Sequence, residues 1–300
     1  MSLSAKYFDP ATLAKLKSLT LRGRHLVEGY MAGMHASRER GQSIEFAEHR
    51  EYSPGDDIRH VDWKVYARTD KLYLKQFEDE TNLLCYLVID CSESMLYRGP
   101  QASLSKWEYA QLVVLSLAYL VLDQRDGGSL ATVSTAIDSM LEPSNQARRW
   151  QDMVSVLEGT EVRKHTNLQA VLGDLSTRIA KRSLVIIVSD FLDDLAGVAR
   201  GAANLRHHRH DVILLQVLDR SEIEFPFRAT TKFVGLEGMG DVTVNARELR
   251  QAYLEQFQKH QRQLESLAAQ QEMDYQLLVT DQPLSRVLPL YLARRHQRLR

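Results

Sequence analysis

The stretch that most limits how this chain can fold is Leu83 to Asp90, an unbroken apolar run closed by a single aspartate. A run without polar alternation reads as a strand covered on both faces, the situation of a parallel sheet between two layers of helices. Ser183 to Asp190 repeats the pattern and again ends in an aspartate. Around these runs the chain alternates strand-like and helix-like segments, as a doubly wound α/β sheet requires. Ligands of open α/β sheets sit beyond the carboxyl ends of the strands, which is where both aspartates fall.

Asp90 is followed by Ser92 and Ser94, so three small oxygen donors alternate as the chain leaves the strand. His165 to Leu168 opens a helical stretch that reaches Ile179, placing the Thr166 hydroxyl near a helix N-terminus. The candidate donors are therefore Asp90, Ser92, Ser94, Thr166 and Asp190. An all-oxygen set suits Mg2+, Mn2+ or Ca2+ and not zinc. In type and order these five resemble the metal-ion-dependent adhesion site of the von Willebrand factor A domain. The plainer explanation is that the aspartates only cap helices. Either aspartate alone would deserve that explanation; all five in order favour the metal. A phosphatase with a strand-end aspartate nucleophile would want a second acid where Ser92 stands.

Composition narrows the partners. Lys and Arg total 38 against 39 Asp and Glu, which gives no global charge to attract nucleic acid or an anionic membrane. A hydrophobic content of 44% over 300 residues can bury a substantial core. No apolar run approaches the roughly 20 residues of a membrane helix, and the amino terminus lacks a signal-peptide core, so a cytoplasmic location without membrane insertion is expected. The two cysteines, Cys85 and Cys91, stand at opposite ends of one strand and are expected to be reduced. His207, His208, His210 and Asp211 read as a polar helix end and loop in preference to a transition-metal site. Asp193 and Asp194 read as caps for the next helix, and Lys106 to Leu122 as a core helix.

The chain is expected to divide near Thr81 into a smaller β-rich module, 1–80, and an α/β domain, 81–300. In the first, Pro10 to Leu19 reads as a helix, with strands at Ser43 to Tyr52 and Leu72 to Phe77 around the turn Ser53 to Asp57. In the second, further strands are expected at Ser129 to Thr135, Ile137 to Leu141, Asp211 to Leu218 and Tyr275 to Val279. Helices are expected at Arg148 to Leu157, Leu195 to His207, Asn245 to Gln270 and Leu284 to Arg295, with a hairpin at Phe225 to Leu236.

Gly41 to Phe46, Arg50 to Arg59, Asp62-Trp63-Lys64, Ala67-Arg68-Thr69, Asp90 to Ser94 and Thr280 to Leu284 together are similar to the signature of a bacterial domain-of-unknown-function family, number fifty-eight. The resemblance spans nearly the whole chain. It implies a Rossmann-like von Willebrand factor A domain, and a role as partner or adaptor of a MoxR-type AAA+ ATPase or of another von Willebrand factor A protein. Arg50, Glu51, Asp56, Asp57, Arg59, Asp62, Lys64 and Arg68 are expected to form a paired polar cluster around Trp63 and Tyr52, structural before it is a docking or acid/base site.

Two functions follow. The first is metal-bridged recognition without catalysis, in which a partner's carboxylate completes the shell of a divalent ion. The second is a Mg2+-dependent hydrolase of a phosphate ester, which would need a nucleophile or base beyond the five donors. Lys164 and His165 are too little to supply one, and no phosphate-cradling glycine loop is present.

Overall fold

The computed structural model describes residues 44–52, 61–79, 83–146, 148–162, 165–234 and 240–282, with Leu284, Val287, Tyr291 and Arg295. The described chain divides between Asn82 and Leu83 into two compact units.

The smaller unit contains β1 (Ile44–Glu51), α1 (Trp63–Thr69) and β2 (Tyr73–Asp79). β1 and β2 pair antiparallel, with a bulge between Phe46 and Glu48. The helix α1 was not expected. Asp62 starts it by accepting the Val65 N–H at 3.3 Å, the usual work of an N-cap carboxylate. Trp63, expected inside a polar cluster, is instead 61% exposed, its ring edge-on to Tyr66 at 6.1 Å. Asp56, Asp57, Arg59 and the Ser53 to Asp57 turn lie outside the described residues, as does the helix expected at Pro10 to Leu19.

The larger unit has the doubly wound architecture. Its elements are β3 (Leu84–Asp90), α2 (Lys106–Asp123), β4 (Gly127–Val133), β5 (Ile137–Ser144), α3 (Arg149–Gly159), α4 (Leu168–Arg178), β6 (Leu184–Ser189) and α5 (Leu195–His207). There follow β7 (Asp211–Leu218), α6 (Arg220–Glu224), β8 (Thr230–Val234), β9 (Asp241–Asn245), α7 (Ala246–Gln270) and β10 (Asp274–Val279). Six strands form one sheet in the order β10-β7-β6-β3-β4-β5, parallel except for β5, which returns antiparallel along β4. β4 and β6 are buried throughout: β6 is apolar up to Ser189, as a strand covered on both faces requires, while β4 also buries Ser129, whose hydroxyl donates to the Leu141 carbonyl at 2.7 Å, and Thr132.

That order fixes where a site can form. From β3 the chain builds outward through β4 and β5, then crosses to the other side of β3 to lay down β6 and β7. The topological switch point therefore lies between β3 and β6, whose carboxyl ends carry Asp90 and Ser189-Asp190.

The hairpin expected at Phe225 to Leu236 is displaced. Asp219 and Glu222 form a capping box that starts α6, and the hairpin is β8 paired with β9. Of the expected closing helix only Leu284, Val287, Tyr291 and Arg295 are described. All four are helical at spacings that share one face, and Leu284 and Tyr291 are buried. Among the described residues no helix is long and apolar enough to cross a membrane.

At the opposite, amino edge of the sheet, Asp126 precedes β4 at 5% exposure, and its Oδ1 accepts the Leu83 N–H at 3.0 Å. Burial pushes this carboxyl from 3.8 up to about 7. Because the folded-state value is raised, the stability this group contributes is fully present below 3.8 and lost as the pH rises through about 7. Asp126→Asn keeps the acceptor and removes the titration. It is expected to be more stable than wild type at mildly alkaline pH by roughly 2–4 kcal/mol, and about equal near pH 4. Urea unfolding at the two pH values checks this; parallel pH profiles for the two proteins would refute it.

Candidate metal centre

The site begins with the way each strand ends. β3 delivers Asp90 fully buried, and the next residues turn into a short 3-10 segment, Glu93–Leu96, which begins after Ser92. The Ser92 N–H folds back onto Asp90 Oδ1 at 2.9 Å, and the Ser189 hydroxyl of the neighbouring strand donates to Asp90 Oδ2 at 2.7 Å. Ser92 Oγ and Ser94 Oγ lie 3.0 Å apart, and the Ser94 hydroxyl also donates to Asp190. Thr166 reaches the same edge through Ser134, the residue after β4, whose carbonyl accepts the Thr166 hydroxyl at 3.2 Å and the Asn167 N–H at 2.9 Å.

Asp190 leaves β6 into a constrained turn. Its Oδ1 accepts the Leu192 N–H at 3.1 Å, and its carbonyl accepts Gln216 Nε2 at 2.9 Å. Between them Phe191 holds φ +54°, a left-handed conformation uncommon for a bulky residue. The turn is held by Ser189 Oγ, which accepts the Phe191 N–H at 2.9 Å, and by His260 Nε2, which lies 2.8 Å from the Phe191 carbonyl. The outcome is a buried Phe191 and an exposed Leu192 beside the site; Leu96 is exposed on the Ser94 side.

The structure adds a residue absent from the five sequence candidates. Lys106, the first residue of α2, is fully buried, with Nζ 2.8 Å from Asp190 Oδ2 and 2.7 Å from Glu222 Oε1. Burial opposes its charge, but the two carboxylates more than offset that and raise its pKa. For Asp190 burial acts upward, and the Lys106 ammonium overcomes it to leave the carboxyl below its usual range. Glu222 stays raised, because burial outweighs Lys106 there. Asp90 has only neutral donors. Its burial and the Asp190 charge push it from 3.8 up to about 7, against the hydrogen bonds from Ser189 and Ser92. Two aspartates in matching sequence contexts thus sit in opposite electrostatic environments.

Around this centre Asp193, Asp194 and Asp219 hold backbone and hydroxyl donors, and Asp138 Oδ2 accepts the Ser134 hydroxyl at 2.6 Å. Asp194 caps α5 through the Ala196 and Gly197 N–H groups, and Asp193 Oδ2 accepts the Leu168 N–H at the start of α4. Asp219, which follows β7, accepts from the Gly99 N–H at 2.9 Å, the Ser221 N–H at 2.9 Å, the Ser221 hydroxyl at 2.6 Å and the Thr280 hydroxyl at 3.0 Å. Burial raises the Asp219 pKa, and these donors bring it below the usual range. Together with the Tyr97–Ser221 hydroxyl contact of 2.8 Å, they tie the segment downstream of Ser94 to the end of β7. Among the described residues no group of three His, Cys, Asp or Glu side chains converges as a metal site, so a cation at the switch point would depend on the serine hydroxyls. Cys85 and Cys91 are both buried and form no disulfide, and the Cys91 thiol donates to the Val133 carbonyl at 3.2 Å.

A family model described as protein of unknown function DUF58 matches residues 48–263. Uncharacterized proteins of Mycobacterium tuberculosis and Mycobacterium bovis are each 27% identical over 227 residues, covering 73% of this chain and 68% of theirs. Among solved structures, the conserved hypothetical protein BatB from Bacteroides thetaiotaomicron is similar at 13% identity and a TM-score of 0.48, covering 72% of this chain and 98% of that one. The SpRpn10 VWA domain is similar at 12% identity and a TM-score of 0.40, covering 69% and 94%.

Proposed function

This chain belongs to the DUF58 family, and from that premise we propose that it is a protein-interaction module that binds a partner's carboxylate through a divalent cation at the switch point between β3 and β6. The observation that carries the reading is Asp90. A fully buried carboxylate that meets only neutral donors is costly, and it either keeps a proton or gains a cation.

The donors around it fit a hard cation. Oxygens sharing an octahedral Mg2+ at about 2.0–2.1 Å stand about 2.9 Å apart, and Ser92 Oγ and Ser94 Oγ are 3.0 Å apart. Asp90 would supply the charge, Ser92 and Ser94 the neutral oxygens, and Thr166, fastened to Ser134 at the same edge, a further hydroxyl. Asp190 would act from outside the shell, holding Ser94 by a hydrogen bond while its own Oδ2 stays on Lys106. A cation held there supplies positive charge and an open coordination position to an incoming carboxylate. Ser189 fixes the Asp90 carboxylate in orientation, and exposed Leu96 and Leu192 give a partner apolar surface on either side.

The partner class we propose is a MoxR-type AAA+ ATPase, or a second protein with a von Willebrand factor A domain, which is what family resemblance suggests. Immobilised protein is expected to retain such a purified ATPase in Mg2+ and to release it in EDTA. Retention that ignores EDTA would contradict metal-bridged capture.

A further inference from the structure

Lys106 occupies a position that helix electrostatics disfavour. The first turn of a helix carries partial positive charge, and a lysine is seldom fully buried without partners. Here the ammonium is completely enclosed, divided between Asp190 and Glu222, and 5.9 Å from the centroid of the Tyr97 ring. Ser105 and Glu108 start α2 with a reciprocal capping box, so the helix has no need of Lys106 at its N-terminus. What the side chain does is engage Asp190 Oδ2, while the Leu192 N–H engages Oδ1. Both strand-end carboxylates accept a hydrogen bond on each oxygen, but Asp190 has the Lys106 ammonium as a counter-charge and Asp90 has only the neutral Ser92 and Ser189 donors.

We propose that Lys106 is the specificity-determining residue of the metal site: by holding Asp190 out of the coordination shell it leaves the cation a single protein carboxylate, and so makes an external carboxylate necessary. The inference rests on the metal reading given above and deepens it. A divalent ion bound by Asp90 alone among the carboxylates keeps an uncompensated positive charge toward its open position, and binds weakly until a partner arrives. Freed from Lys106, Asp190 could turn its Oδ2 to the ion, closing the shell from within and removing the reason to recruit an anion. Lys106 is in this sense a positioning residue, acting through Asp190 without touching the ion.

The test uses the full chain and Mn2+ alone, with affinity read by electron paramagnetic resonance and metal-bound water read by water-proton relaxation. Wild type is expected to bind Mn2+ weakly with several exchangeable waters. Lys106→Met is expected to bind about tenfold more tightly or better, with fewer waters, the size of effect usual for residues that orient metal ligands. Lys106→Arg, which keeps the charge, is expected to resemble wild type. Because Lys106→Met leaves buried Asp190 and partly buried Glu222 without their cation, Lys106→Met/Glu222→Gln serves as a second variant, with the same gain expected. Folding of either variant only when Mn2+ is present would support the proposal. Unchanged affinity and hydration in a folded variant would overturn it, as would failure of both variants to fold even in millimolar Mn2+. No Mn2+ binding by wild type would overturn the metal reading itself, a result distinct from those two.

Discussion

Asp90→Asn is expected to change the protein in two opposite directions: more stable without divalent metal, and insensitive to metal. In wild type the buried carboxyl is raised to about 7, so its stabilising contribution is present below 3.8 and disappears as the pH rises through about 7. At mildly alkaline pH the metal-free protein carries a buried charge faced only by Ser92 and Ser189 donors. Asparagine keeps an acceptor for the Ser92 N–H and offers an N–H2 toward Ser189, whose hydroxyl can reverse its role. A gain on the order of 3 kcal/mol follows from the size of the shift, which in a domain of this size is a rise of several degrees in Tm. Saturating Mg2+ would raise the wild-type Tm by mass action and leave the variant unmoved. Thermal unfolding in EDTA and in Mg2+ checks both halves, and a variant still stabilised by Mg2+ would remove Asp90 from the site.

Gly99→Ala is expected to be the most damaging small substitution in the larger unit. A Cβ there would stand 2.0 Å from Asp219 Oδ1 and 2.5 Å from Ser221 Oγ, closer than real contacts allow. Neither can step aside cheaply, because Asp219 is buried and receives four hydrogen bonds, including the Gly99 N–H. Displacing the loop would leave a buried carboxylate short of a donor, at a cost of about 3 kcal/mol. It would also loosen the segment behind Ser94, since Tyr97 loses its hold on Ser221. Divalent-ion affinity is then expected to fall by roughly 10–100-fold. Gly173→Ala is the control: nothing lies within 4 Å of its Cβ, and it sits inside α4. That change is expected to stabilise by about 0.5–1 kcal/mol. Urea unfolding of both variants with parallel Mn2+ titrations makes the comparison, and a Gly99→Ala protein as stable as wild type would refute the clamp.

Much of the larger unit was legible because its strands are buried on both faces. Leu195–His207 and Asp211–Leu218 match the expected bounds, since an amphipathic helix next to a run that is apolar apart from Asp211 and Gln216 leaves little choice. The edge elements were less legible. β9 is five mostly exposed residues that run straight into the Asn245 cap of α7, and the start of α6 depends on the Asp219–Glu222 capping box. In the smaller unit, the seven residues of α1 carry too short a pattern to stand out. The candidate site divides in the same way. Strand-end aspartates and alternating serines announce themselves locally, but Lys106 meets partners 84 and 116 residues away, so nothing near it in sequence marks it as more than the first residue of a core helix.

The claim on which the rest depends is that Asp90, Ser92 and Ser94 hold a divalent cation. Calorimetric titration of the metal-free full chain with Mg2+, beside Asp90→Asn, tests it most directly. Wild type is expected to bind one equivalent and the variant none. Absence of binding in both, or equal binding in both, would contradict it.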